Sequence, residues 1–209
     1  MVVTVFGANG KVGSIVVEQL LEQGHHVKAF VHSASHFEPH PNLEIIKGDI
    51  YSAKQVADSI KGSKAVISAL GSWGTSKKDI LFKGMKNIVP AMQQNNIVRI
   101  VSLTGSAAQS SGDKFSVINM SNRALLGLFA KKILIDGEKH IKLLEDSGLN
   151  WTVVRSPVMN NKGDATKYCL LDKAPKPWGT INRQSVAISL VELLTNVGYK
   201  QKAPYIVRD

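Results

Sequence analysis

The chain opens MVVTVFGANGKVG, a β-rich apolar run from Val2 to Phe6 followed by Gly7, Gly10 and Gly13 in the spacing G-x-x-G-x-x-G. Each glycine answers a separate demand of a strand that turns sharply into a helix around an anion. Gly7 permits the turn, Gly10 lets backbone approach a pyrophosphate, and Gly13 lets the following helix pack on the sheet. The helix N-terminus then offers unpaired N–H groups and the positive end of its dipole to the phosphates. Glycine spacing alone is a weak signal. Here, however, a strand precedes it and an amphipathic stretch with Val12, Val16 and Leu20 follows, closed by Gly24, so strand, turn and helix stand in the order a dinucleotide site requires.

Further apolar runs at 27–31, 43–46, 64–70, 98–103 and 151–154 alternate with helical stretches. One helix is expected over 52–61, with Ser52 as N-cap and Gly62 at its end. A second spans 79–94 and contains Pro90, which predicts a kink; a third ends near Asp146. Residues 160–209 add a strand-like run at 165–171, an amphipathic helix at 184–194 and a terminal strand at 205–207. This alternation predicts an α/β fold, a Rossmann-like doubly wound parallel sheet, as one domain over 1–209 with residues 160–209 forming a small substrate-side cap. Ligands of such sheets lie beyond the carboxyl ends of the strands. The stretches that follow each strand therefore count most: 7–13, His32 and Ser33, Asp49 and Ile50, 69–73, 103–106 and 155–159. Residues 105–120, rich in glycine and serine and without periodicity, read as a mobile segment over that site.

No apolar run approaches the roughly 18 residues of a membrane span, and the N-terminus enters a strand without a basic leader. Cys169, the one cysteine, cannot form an internal disulfide, and in the apolar run YCLL it reads as a buried structural thiol. A cytoplasmic protein without a membrane partner is expected. The net charge of +10 is spread along the chain, +4 over residues 1–104 and +6 over 105–209. Its densest clusters, Lys77-Lys78 and Lys131-Lys132, lack interleaved aromatics, so no nucleic-acid partner is expected either. A diffusely basic surface still draws in anionic small molecules. With a single cysteine no thiolate zinc cluster can be assembled, and no metal site is expected.

The segments GANGKVG at 7–13, KGDI at 47–50, SALGS at 68–72, KNIVPAM at 86–92 and LLEDSGLNWTVVRSP at 143–157 carry a resemblance that covers nearly the whole chain. Together they resemble an atypical short-chain dehydrogenase/reductase of the NAD(P)H-binding, NmrA-like group, which takes in the flavin/biliverdin-IXβ reductases. The resemblance implies that Asn9, Gly10, Lys11 and Val12 surround the pyrophosphate and that Asp49 and Ile50 flank the adenine. It implies that Ala69, Leu70 and Gly71 pass along the ribose and nicotinamide, and that Thr104, Gly105, Ser106 and Pro157 frame the nicotinamide ring. Asp49 also reads as a plain turn-former, and Pro157 as a loop stop.

Cofactor choice is argued from the end of the second strand, where a carboxylate would bind the adenosine ribose and repel a 2′-phosphate. His32, Ser33, Ala34, Ser35 and His36 stand there instead, Glu38 is the first acid, and Lys11 lies in the phosphate loop. NADP(H) is therefore expected over NAD(H). Typical members of the superfamily use a Tyr-x-x-x-Lys pair as proton donor. Here the tyrosines are at 51, 168, 199 and 205, none with lysine four residues on, and counting back from Ser147-Gly148-Leu149 the pair's positions hold Ile133 and Gly137. No catalytic residue is assigned; His140, on the helix after the fifth strand, reads either as approaching the cofactor cleft or, preferred, as a solvated helix-face histidine. Two functions lead, a reductase passing hydride to a flavin or quinone-like small molecule and a non-catalytic NADP(H) sensor, with a cryptic isomerase or dehydratase behind them. Trp73 and Phe115 are candidate walls for the acceptor, Trp73 reading equally as core, and a monomer or weak homodimer is expected.

Overall fold

The computed structural model describes residues 1–73, 77–114, 120, 121, 123, 124, 127, 130–174 and 179–209. Its layout follows from the alternation of β1 (Val2–Phe6), in which Val3 and Val5 join one core cluster while Phe6 joins another on the opposite face of the sheet. Every one of these side chains is fully buried. Burial of a valine or phenylalanine is worth about 1.5–3 kcal/mol, so both faces must be covered.

The first cluster lies under α1 (Gly13–Glu22) and α5 (Arg183–Glu192), and the second under α2 (Ala53–Ser59), α3 (Ile80–Gln94) and α4 (Lys131–Glu145). Between them runs an eight-stranded sheet of order β3-β2-β1-β4-β5-β6-β10-β8. Its strands are β2 (His26–Val31), β3 (Leu43–Lys47), β4 (Ala65–Ser68), β5 (Arg99–Gly105), β6 (Asn150–Ser156), β8 (Tyr168–Leu171) and β10 (Tyr205–Arg208), with β1 inside. All neighbours pair in parallel except β8 with β10. Two short strands not foreseen from the sequence, β7 (Val158–Asn160) and β9 (Thr180–Asn182), pair with each other apart from the main sheet. This is the expected Rossmann-like doubly wound sheet.

Local signals mostly hold. The Ser52 hydroxyl caps α2 by accepting from Gln55 N–H. Pro90 does not interrupt α3, which continues through it to Gln94, the proline standing on the exposed side. The strand expected over 165–171 begins only at Tyr168, and Cys169 within it is half-buried rather than buried. No helix among the described residues is long and apolar enough to cross a membrane. After β3 the chain crosses back over β1 to start β4, so the order reverses between β1 and β4. The crevice of such a sheet opens at that point.

Candidate cofactor and acceptor site

The three glycines of the first loop are not interchangeable. Gly7 has φ +77°, and a Cβ there would lie 2.8 Å from the carbonyl of Ala69. A Cβ at Gly13 would stand 2.0 Å from the Gly7 carbonyl oxygen. The chain itself closes both positions. At Gly10 a Cβ would meet only that same oxygen, at 3.0 Å, and otherwise open space, so this is the one glycine facing a cradle. Helix α1 starts behind it with no side-chain cap and no acid in its first turn. Asn9 donates from Nδ2 to the Ala34 carbonyl at 2.9 Å, tying the loop to the segment after β2, while its buried Oδ1 accepts from nothing. An uncapped helix N-terminus, an open cradle and an orphaned acceptor fit a phosphorylated ligand bearing hydroxyls. Lys11, His32 and Ser33 are all exposed.

The neighbouring loops are fastened to this one. Asp49 accepts from Tyr51 N–H at 3.0 Å, so the turn-forming role is realised, and its own N–H donates to Gln55 Oε1 at 2.6 Å. Ile50 is buried, and its carbonyl accepts from Asn87 Nδ2 at 2.7 Å. Gly84 on α3 has no room for a Cβ, which would sit 2.9 Å from Leu70 Cδ1 and 3.2 Å from Ile50 Cγ1. Its absence lets the loops after β3 and β4 close over α3. Ala69 and Leu70 are buried, whereas Gly71 is exposed with nothing near it. Trp73, just beyond, is 68 % exposed, which removes the core reading.

On the other side of the crevice, Ser106 N–H donates to the Ser156 carbonyl at 2.8 Å, bringing the loops after β5 and β6 together. Thr104 is buried, Gly105 exposed, and Ser106 and Pro157 half-buried. A Cβ at Gly137 would lie 2.6 Å from Thr104 Oγ1 and 3.1 Å from Ala108 Cβ. The place counted for the family lysine therefore lies against Thr104 of β5, and a side chain there would have to displace the Thr104 hydroxyl.

The four tyrosines are engaged elsewhere. Tyr51 donates to Asp79 at 3.2 Å, and its phenol is pushed up to about 12 by burial and then by that carboxylate. Tyr168 donates to Glu192 and is raised further, again by burial first. Tyr205 is buried beneath the Arg155 guanidinium, 3.7 Å from its ring centre, and the Tyr199 ring has the Lys202 ammonium 5.8 Å from its centre. None of them belongs to α4 or to the loop after β5.

Several side chains that shape this half are scattered singly through the sequence. Asp136 is buried; it accepts from Ser72 Oγ at 2.5 Å and from the N–H groups of Leu81 and Phe82 at 3.1 and 2.8 Å, capping α3 from α4. Arg155 is buried in a two-pronged ion pair with Asp113, at 2.5 and 2.7 Å, and also donates to the carbonyls of Ala203 and Ala108. The described part of the segment expected to be mobile is thus pinned, with Ser110 and Ser111 also bonded to Glu145. Phe115 lies outside the described residues.

His140 corrects an expectation outright. It is fully buried, with Nε2 2.9 Å from Ser102 Oγ and Nδ1 unpartnered, and burial pushes it down to about 3. The signal was present in the spacing: Asp136, His140, Ile141 and Leu144 share one helical stripe, and the two apolar members mark it as inward. His32, His36 and His40 recur every fourth residue, but 34–40 is not helical, so the spacing does not stack them. Among the described residues no three His, Cys, Asp or Glu side chains gather as a metal site.

A doubly wound sheet with an open glycine cradle at its switch point defines an NAD(P)H-binding protein of oxidoreductase-type fold. The chain belongs to the NAD(P)H-binding family, whose model matches residues 7–197. It is 30 % identical over 205 residues to an uncharacterised chloroplast protein of Arabidopsis thaliana, covering 92 % of this chain and 71 % of that one. It is also 30 % identical over 122 residues to a 3-beta-hydroxysteroid dehydrogenase of Mycolicibacterium neoaurum, covering 53 % of this chain and only 33 % of the dehydrogenase. Among solved structures, an anaerobilin reductase from Escherichia coli superposes with TM-score 0.77 at 18 % identity, over 100 % of this chain and 97 % of that one. A short-chain dehydrogenase/reductase of Veillonella parvula in complex with NADP gives 0.80 at 17 % identity, over 99 % and 94 %. At such identities the likeness is one of fold.

Proposed function

We propose that this protein is an NADPH-dependent reductase of a flat, conjugated small molecule, flavin or quinone-like, that relies on no proton donor of its own. The observation that carries this reading is Gly137: where a dehydrogenase of the superfamily places the lysine of its proton-donating pair, this chain has no side chain, and a Cβ there would lie 2.6 Å from Thr104 Oγ1. Reduced flavins and quinones can take their proton from water, so the protein need only stack the acceptor against the nicotinamide. Trp73, exposed two residues after the open Gly71, supplies a ring for such stacking. When bound, the dinucleotide supplies the hydride; the residues around Gly10, Ile50 and Thr104 hold and orient it.

The preference for NADPH rests on Lys11 and His32, exposed beside the cradle with no acid before Glu38. One charge-assisted contact to a phosphate is worth about 1.5–3 kcal/mol, roughly ten- to a hundredfold in affinity. Lys11→Ala should weaken NADPH by that factor and leave NADH nearly unchanged. The activity itself is tested by following NADPH oxidation with FMN, a naphthoquinone and a redox dye. Turnover with at least one supports the reductase, whereas tight NADPH binding with none would move the reading to an NADP(H) sensor.

A further inference from the structure

On the outer side of the elements that close the crevice, α3 packs against α4 and an open groove of about 1010 Å³ runs between them, sharing Tyr51, Asn87 and Asp136 with the walls of the crevice. Lys83 and Lys86 reach it from α3, Lys132 and Lys139 from α4, and Lys77 and Lys78 from the turn before α3. Among the described residues lining the groove the acids are Asp79, bonded to Tyr51, and the buried Asp136, occupied by Ser72 and the start of α3. Lys83, Lys86, Lys132 and Lys139 are exposed, and among the described residues no ion pair involves any of them. Elsewhere Lys54, Lys61 and Lys142 each meet a carboxylate within 2.8 Å. The groove thus brings together four exposed ammonium groups that meet no carboxylate among the described residues. Its floor is apolar, with Ile135 and with Phe82, whose ring has the Lys86 and Lys139 ammonium groups 5.9 and 5.5 Å from its centre, and past Phe82 and Lys139 it continues onto Val89 and Leu143.

We propose that this groove docks an acidic amphipathic helix of a partner protein. A crease between two 15-residue helices is about 22 Å long, and a third helix fills such a crease by laying its apolar side on the floor. Lys132 and Lys139 are two turns apart on one face of α4, so acids seven residues apart on the partner meet both, about 10.5 Å apart. A second copy of this chain is excluded as occupant, because two-fold pairing through the groove would set lysines against lysines. A single nucleic-acid strand needs free aromatic faces to stack on, and here the Tyr51 ring is covered by Lys77 at 4.0 Å. A lipid surface is met by a flat or convex basic face, whereas these lysines line a concavity. Small-molecule sites are more enclosed and more apolar.

The test uses the full chain with NADP bound and a labelled synthetic helix of about 18 residues, with glutamates seven apart flanking a leucine stripe. Anisotropy should show saturable binding that weakens in about 0.5 M salt and is absent for the same peptide with lysine in place of glutamate. The pairs Lys83→Glu/Lys86→Glu and Lys132→Glu/Lys139→Glu should each lose about tenfold or more, with unchanged NADP affinity showing that the fold is intact. No saturation, or equal binding by the reversed variants, overturns the proposal. So does tighter binding of an oligonucleotide or of phosphatidylserine vesicles than of the peptide, when the same variants abolish it.

Discussion

The two halves of the crevice are built by different means. On the side of the glycine loop, close approach locks the loops: Gly7 against the Ala69 backbone, Gly13 against the Gly7 carbonyl, and the Ile50 and Leu70 side chains closing over Gly84. On the side of β5 and β6, buried polar side chains reach across long stretches of sequence: Asp136 to Ser72 and the start of α3, Arg155 to Asp113, His140 to Ser102. The first construction leaves one open position, Gly10, and little else to vary. The second leaves the acceptor face to loops whose anchors can change without disturbing the cofactor's seat, which is how one fold serves many substrates.

The sharpest way to break this contrast is within the glycine loop itself. Gly13→Ala should destabilise the protein by about 3 kcal/mol, the upper end for overpacking, since its methyl would drive into backbone that cannot move aside. Gly10→Val should leave thermal unfolding nearly unchanged and abolish dinucleotide binding by titration. If both variants merely weakened binding, or both unfolded, the distinction between closed and open glycines would be wrong. On the other side, Arg155→Met leaves a mostly buried Asp113 carboxylate without its partner and should cost about 3–5 kcal/mol in urea unfolding. NADPH affinity measured well below the unfolding transition should be retained, because no phosphate-side contact is lost.

A smaller effect separates the halves by pH. His140 is lowered in the folded state from 6.5 to about 3, so the unfolded chain binds the extra proton below pH 6.5. Stability should therefore fall with pH through that window, by about 2 kcal/mol between pH 7.5 and 5 from this group. His140→Gln should remove that part of the slope, and an unchanged slope would mean the ring is not buried neutral.

The same contrast explains what could be read in advance. The cofactor half was legible because its chemistry is local: Gly7, Gly10 and Gly13 lie within seven residues of one another, and the alternation around them sets strand and helix. Counting back from Ser147-Gly148-Leu149 put Ile133 and Gly137 at the positions of the family pair, but that Gly137 lies against Thr104 of β5 is seen only in the fold. His140 was misread because the lysines of its helix mask the inward stripe it shares with Ile141 and Leu144, and nothing local points to its partner, Ser102, 38 residues away. Arg155 and Asp113 were invisible as a pair for the same reason, their contact being made only when β6 closes beside β5. Trp73 was undecided because exposure depends on what the loop after β4 packs against, which no local period encodes.

The central claim is that hydride leaves the dinucleotide without help from a protein acid, and single-turnover kinetics test it most directly. Enzyme preloaded with NADPH is mixed with a quinone and the nicotinamide absorbance followed between about pH 6 and 8, a range in which an essential tyrosine tuned by lysine would titrate. A flat rate, retained in Tyr→Phe variants at 51, 168, 199 and 205, is the outcome expected. A sigmoidal profile, together with a hundredfold loss in any one of those variants while folding is intact, would contradict it.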